Sequence, residues 1–261
     1  NYVKKIKIKG KREIEIKGKR EIEMSYYEIS ATIVSKLFEA KPHKYKEIYK
    51  VFKDKKFIPQ IYSTLNTVIK MINDNVSEEE IENKIKNGYY VATPKVNWKE
   101  KTIELIEVYK EFVSENHSLK NLQNYRGKKL YVDFKYNNLE ETTVRIRSTP
   151  TFFNEYKGKK YLYYLLPSET GWTKKNIEGL YALLNEALKQ DPTFKDFNEI
   201  RILHLPKKNI IKGIRTSNLI KEAREIIELF CIYVLERSEQ EKIEHIKAIV
   251  SEFNDDYDFN F

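Results

Sequence analysis

The run from Lys128 to Ile214 constrains the fold more than any other part of the chain. Lys129–Tyr136 alternates apolar and polar side chains with Asp133 at its centre, and a period of two predicts a half-buried strand. A turn through Asn137, Asn138, Leu139 and Glu140 leads to Thr142–Arg147, where β-branched and polar residues alternate again. Lys160–Leu166 is a third, Tyr-rich run that ends at Pro167. Thr173 stands where a helix cap belongs, ahead of Ile177, Leu180, Leu184, Ala187 and Leu188 at helical spacing, and Asp191-Pro192 stops that helix. Glu199–Leu205 returns as a fourth strand. Three strands, a crossover helix and a further strand predict an α/β domain with a mixed sheet.

Charge sets the rest of the chain apart from this core. The 261 residues carry a formal charge of +9. Residues 1–60 hold 17 Lys and Arg against 8 Asp and Glu, while the remainder holds 31 of each sign. The excess therefore lies in the first quarter. A basic module beside a neutral one predicts contact with a polyanion, DNA or RNA first; a Lys-rich composition of no functional weight is the plain alternative. A hydrophobic content of 41% with 19 Tyr and 13 Phe can fill a core and argues against disorder throughout. The lone Cys231 lies in an apolar helical run, so no disulfide forms within the chain, as expected of a reducing, cytoplasmic compartment. No stretch has the length and apolarity of a membrane span. The chain opens on Asn1 rather than Met, which leaves its true start open.

Within the basic quarter, Ile8–Glu15 is repeated at once as Ile16–Glu23. Isoleucines alternating with charges predict a short β-meander over residues 1–24, whose turns offer Lys11, Arg12, Lys19 and Arg20 to phosphates; a solvated face or a recent duplication of no functional weight is the equal alternative. Residues 25–116 read as a helical module. Ile29, Ile33, Leu37 and Phe38 mark one helix, His43–Phe52 a second and Ile58–Ile72 a third. The last two, joined through Asp54, Lys55 and Lys56, resemble a helix-turn-helix with Ser63, Asn66, Thr67 and Lys70 on the exposed face of the second helix. Ordinary bundle packing is the alternative. Ser77–Glu80 is a capping box, and Trp98–Ser114 a strong amphipathic helix. The polar stretch 116–127 predicts a boundary, followed by an α/β domain over 126–253 whose last helices begin near Thr216 and Ser238. Residues 254–261 form an acidic, aromatic tail that resembles the partner-recruiting tip of single-strand DNA-binding proteins. The fold class expected is thus α+β, a basic N-terminal helical module followed by an α/β domain ordered β-β-β-α-β.

The core run resembles the ribonuclease H-like fold. That family places a catalytic Asp in the middle of its first strand, where Asp133 stands, and a Glu in the first turn of the crossover helix, where Glu178 stands. A later helix often supplies a further acid, here Glu222. The position of the third carboxylate reads Pro206, with His204 two residues earlier. The resemblance implies Mg²⁺ or Mn²⁺ held by Asp133 and Glu178, with Glu222 and His204 completing a reduced nuclease site, or an inactive relative of such a nuclease. A rival resemblance, to PD-(D/E)XK nucleases, rests on Asp133-Phe-Lys135 and Glu155-Tyr-Lys157. Tyr161, Tyr163 and Tyr164 are candidates for base stacking. The expected function is nucleic-acid binding, as a metal-dependent nuclease or as a non-enzymatic regulator, mobile-element or defence factor; a protein-interaction or assembly module is the third reading.

Overall fold

A computed structural model describes residues 26–53, 63–90, 92–93, 96–136, 142–168 and 171–236. The basic repeat, the 54–56 turn and the residues after 236 lie outside them, and with them Lys11, Arg12, Lys19, Arg20, Lys55, Lys56 and the acidic tail.

The core run folds as its periodicity predicts. Strands β5 (Leu130–Tyr136), β6 (Thr142–Ser148), β8 (Lys159–Leu166) and β9 (Phe197–His204) appear in order, with a long helix, Lys174–Gln190, between the last two. Thr173 caps that helix, its hydroxyl accepting from the Asn176 N–H at 3.1 Å. The run holds two further strands: β7 (Phe152–Tyr156) forms a hairpin with β8, and β10 (Asn209–Ile211) pairs antiparallel with β9. The two residues between β7 and β8, Lys157 and Gly158, both have positive φ, 52° and 71°, the conformation that matches a tight turn to strand twist.

A second correction concerns the start of the described chain. Tyr26–Ser30 is a strand, β1, and only Ala31–Leu37 is helical, as α1. Ser30 ends the strand and caps the helix, its Oγ accepting from the Thr32 N–H. β1 pairs in parallel with β6, giving a three-stranded sheet ordered β1-β6-β5. The described residues after Tyr26 are therefore built into the α/β core and not into a separate module ahead of residue 116.

The remaining helices are α2 (Tyr45–Lys53), α3 (Ser63–Asn73), α4 (Glu78–Lys86), α5 (Trp98–Glu115), the crossover helix α6 (Lys174–Gln190) and α7 (Ser217–Phe230), which runs on in π-helical turns to Glu236. Short strands β2 (Ala92–Thr93) and β3 (Val96–Asn97) pair with each other. β4 (Gln123–Asn124) and β10 (Asn209–Ile211) complete a five-stranded sheet ordered β10-β9-β8-β7-β4. The parallel partner of β9 is β8. β5, the strand of Asp133, is an edge of the other sheet.

The five-stranded sheet separates two cores. Leu162, Leu166, Ile200 and Ile202 face the first, with Leu180, Leu183 and Leu184 of α6 and the inner face of β5 and β6. Tyr161, Tyr163, Leu165 and Leu203 face the second, with Leu65, Val68 and Ile69 of α3 and Leu105, Ile106, Tyr109 and Phe112 of α5. Each fully buried large apolar side chain contributes about 1.5–3 kcal/mol. Two buried faces explain why β8 and β9 read as nearly continuous apolar runs. α1 lies close on α6, where a Cβ at Gly179 would come within 2.6 Å of the Phe38 ring.

The helix-turn-helix expectation meets a different arrangement. α2 packs on α1 and on the π-helical turns after α7, whereas α3 packs on α4 and α5. Tyr45 of α2 belongs to the first core and Leu65, Val68 and Ile69 of α3 to the second. A reading unit of two mutually packed helices is not what these residues form.

Candidate functional site

The four residues implied as a nuclease centre do not converge. Asp133 faces outward from β5, between the inward Val132 and Phe134, and accepts two bonds from the Arg145 guanidinium, both at 2.7 Å. Its backbone N–H donates to the Gln190 side chain at 3.2 Å, at the far end of α6 from Glu178. Twelve residues of helix separate those two ends, about 18 Å at 1.5 Å per residue. Metal ions about 4 Å apart cannot be shared across that distance. Glu178 lies 3.8 Å from the Lys174 ammonium, and Glu222 lies 2.5 Å from that of Lys175. His204 is buried at the end of β9, opposite Leu166. Among the described residues, no three His, Cys, Asp or Glu side chains gather as metal ligands. Asp133 and Glu178 thus do not fit a common Mg²⁺ or Mn²⁺ ion. Of the rival acid-x-Lys pairs, Asp133 of the first is engaged by Arg145, and in the second Glu155 lies on β7 while Lys157 occupies the turn after it.

The residues proposed to touch nucleic acid divide differently. Ser63 and Thr67 are exposed on α3, and Lys70 is half-buried. The Thr67 hydroxyl donates back to the Ser63 carbonyl at 2.8 Å. Tyr161 and Tyr163 are buried. The Arg201 guanidinium stacks on Tyr161 at 3.4 Å from the ring centroid, and the Tyr163 hydroxyl bonds Asn154 Oδ1 at 3.0 Å. Neither ring is open to a base.

Two polar clusters stand out, and sequence reasoning identified neither. The first is at the start of β9. Glu199 accepts from the Tyr181 hydroxyl, from the Gly213 N–H at 2.7 Å and from Arg201 Nε at 3.0 Å. Burial opposes ionisation of Glu199, but these donors outweigh it and hold the carboxyl below its ordinary range. Burial first, and then the same carboxylate, push the Tyr181 hydroxyl far up. Close by, Asn185 of α6 reaches the edge of β9, donating to the Ile200 carbonyl at 2.8 Å and accepting from the Ile200 N–H at 2.9 Å. β10 pairs only with Ile202–His204, so Asn185 satisfies the strand where no neighbour does.

The second cluster is a pocket of about 200 Å³ at the carboxyl ends of the parallel strands β1 and β6. Ser30, Thr32, Arg147, Ser148, Thr149 and Tyr164 line it. Thr32 and Tyr164 share a hydroxyl–hydroxyl bond of 3.0 Å. Arg147 Nη1 donates to Glu28 at 2.7 Å. Ser148 is only 8% exposed, and its Oγ has no hydrogen-bond partner among the described residues. A buried hydroxyl left in that state costs about 1–3 kcal/mol. Arg147 is the one charged residue in the lining, and the rest are hydroxyl-bearing.

The outer face of the three-stranded sheet continues from the pocket. Arg145 and Arg147 of β6 and Lys135 of β5 lie on it, interleaved with Asp133 and Glu28. Tyr131 stands beside them, with Arg145 over its ring at 5.2 Å. No helix among the described residues is long and apolar enough to cross a membrane. No protein-family model matches this chain, and a search of curated proteins finds no match either.

Proposed function

We propose that this protein binds nucleic acid through its phosphates, as a binding module and not by cleaving it. The observation that carries the reading is the uneven charge: 17 basic against 8 acidic residues in positions 1–60, and balance everywhere else. Clustered cations recognise a polyanion by releasing its condensed counterions, a force that needs no base-specific contact. In sequence, residues 1–25 lead into β1, and the sheet that β1 joins carries Arg145, Arg147 and Lys135 on its outer face. Cleavage has less support, because Asp133 is engaged by Arg145 and stands at the opposite end of α6 from Glu178.

Fluorescence anisotropy of the full chain with labelled DNA and RNA, across a salt series, tests this. Four or more phosphate contacts give a log–log slope of about −4 or steeper on duplex DNA. Deleting residues 1–24 should flatten that slope by about one unit for each cation that no longer meets a phosphate. No binding at low salt would discard the reading in favour of a protein-interaction or assembly module.

A further inference from the structure

We propose that the pocket at the carboxyl ends of β1 and β6 is a site for a single phosphate group, a free phosphate or the terminal phosphate of a nucleic acid. The second form of ligand rests on the nucleic-acid reading above; the first does not.

The size of the pocket points to a small ligand. About 200 Å³ falls below the roughly 300–1,000 Å³ of clefts that enclose drug-sized molecules. Its lining selects the chemistry. Arg147 is the only charge in the lining, its partner Glu28 lies outside it, and a cation finds no carboxylate among the six lining residues. An apolar group would strand the hydroxyls. An oxyanion with several acceptor oxygens satisfies them.

A donor inventory supports that conclusion. Ser30 Oγ accepts from the Thr32 N–H and keeps its own O–H to give. Of the paired Thr32 and Tyr164 hydroxyls, one donates to the other, and the second O–H remains. Ser148 contributes an O–H with no partner among the described residues. Rotation about its χ1 into the pocket forfeits no bond, and the staggered rotamers make such a turn accessible. Thr149, exposed at the rim, adds another hydroxyl. Arg147 spends Nη1 on Glu28, which leaves the rest of the guanidinium fork for a second, bidentate acceptor. These groups come from three separate strands and the first turn of α1. A tetrahedral anion at the strand ends has more donors to draw on than any single strand offers.

Calorimetric titration of the full chain with inorganic phosphate is the first arm of the test. The wild type should bind. Arg147→Ala should weaken binding about tenfold, and Arg147→Lys nearly as much, because lysine keeps the charge but lacks the fork. Ser148→Ala should weaken it by a smaller factor. Arg126→Ala removes an equal charge from an exposed pair with Asp74, outside the pocket, and should leave phosphate binding unchanged. The second arm compares 5′-phosphorylated with 5′-hydroxyl oligonucleotides of one sequence. A preference for the phosphorylated strand that Arg147→Ala erases identifies a nucleic-acid end as the ligand. Equal binding of the two strands, with Arg147-dependent binding of inorganic phosphate, identifies a free phosphate. Absent phosphate binding, or binding insensitive to Arg147 and Ser148, overturns the proposal. Salt-dependent oligonucleotide binding would survive that failure if the function proposed above is right, so the two can be told apart.

Discussion

The two polar clusters of this protein are built from similar side chains and differ in completeness. At the start of β9, Glu199, Arg201, Tyr181 and the Gly213 N–H close on one another, and Asn185 seals the neighbouring strand edge. At the ends of β1 and β6, hydroxyls and a guanidinium are drawn together, but Ser148 is left over. A saturated buried network fixes how helices and strands dock, and it offers a ligand nothing. An unsaturated one carries an energetic deficit that a ligand can relieve. That contrast assigns a structural role to the first cluster and a binding role to the second.

The largest expected effect comes from breaking the saturated cluster. Arg201→Met removes the Nε bond to Glu199 and the stack on Tyr161, and it leaves a mostly buried carboxylate without its cation, held only by the Tyr181 hydroxyl and the Gly213 N–H. Urea unfolding at neutral pH should show a loss of about 3 kcal/mol. The pH dependence has a definite sign. The Glu199 carboxyl titrates lower in the folded chain than its ordinary value, so its contribution is complete above about pH 4.3 and disappears as pH falls through the folded value. The gap between Arg201→Met and the wild type should therefore be widest at neutral pH and narrow towards pH 3. An equal gap at both pH values would mean that Arg201 acts by packing alone.

The same contrast explains what was legible in the sequence. β5 and β6 could be read because Leu130, Val132, Phe134, Val144 and Ile146 alternate on one buried face. α6 could be read because its Thr173 cap and its leucines agree. β1 reads as helix because Ile29, Ile33 and Leu37 fall four apart while spanning a strand–helix junction; the capping Ser30 is the signal that marks the junction. β7 escapes the periodicity because Glu155–Lys157 looks like a turn, although the turn is Lys157–Gly158. Asp133 does project from its strand as alternation requires. Its partner, Arg145, follows from the register of β5 on β6, and residues 137–140 alone did not specify that register. Neither polar cluster is a motif. The pocket draws on residues 30, 32, 147, 148, 149 and 164, which the parallel pairing of β1 with β6 and the contact of Thr32 with Tyr164 of β8 bring together.

A smaller effect is expected within the second core. Tyr163→Phe keeps the ring, which is fully buried, and deletes the hydroxyl that bonds Asn154 Oδ1. Asn154 still donates to the Ser118 carbonyl at 2.8 Å, so one acceptor loses its donor while the loop anchor stays. The cost should be about 1 kcal/mol, with an unchanged denaturant slope. No measurable cost would show that water replaces the hydroxyl there, and that this part of the fold is less sealed than its burial implies.

The smallest effect is the most discriminating, because there the sign differs. Ser148→Ala also deletes one buried hydroxyl, yet this one has no partner among the described residues. Deletion removes a desolvation penalty and breaks no bond. In phosphate-free buffer the variant should therefore be as stable as the wild type or more stable, by up to about 1 kcal/mol. The ordering should then shift when phosphate is added. A ligand that binds only the folded chain stabilises it by about 1.4 kcal/mol at tenfold excess over its Kd, and Ser148→Ala, binding more weakly, should gain less. A loss of 1 kcal/mol or more without phosphate, matching Tyr163→Phe, would show that the Ser148 hydroxyl is already bonded. The two clusters would then be alike, and the pocket would have no deficit for a ligand to fill.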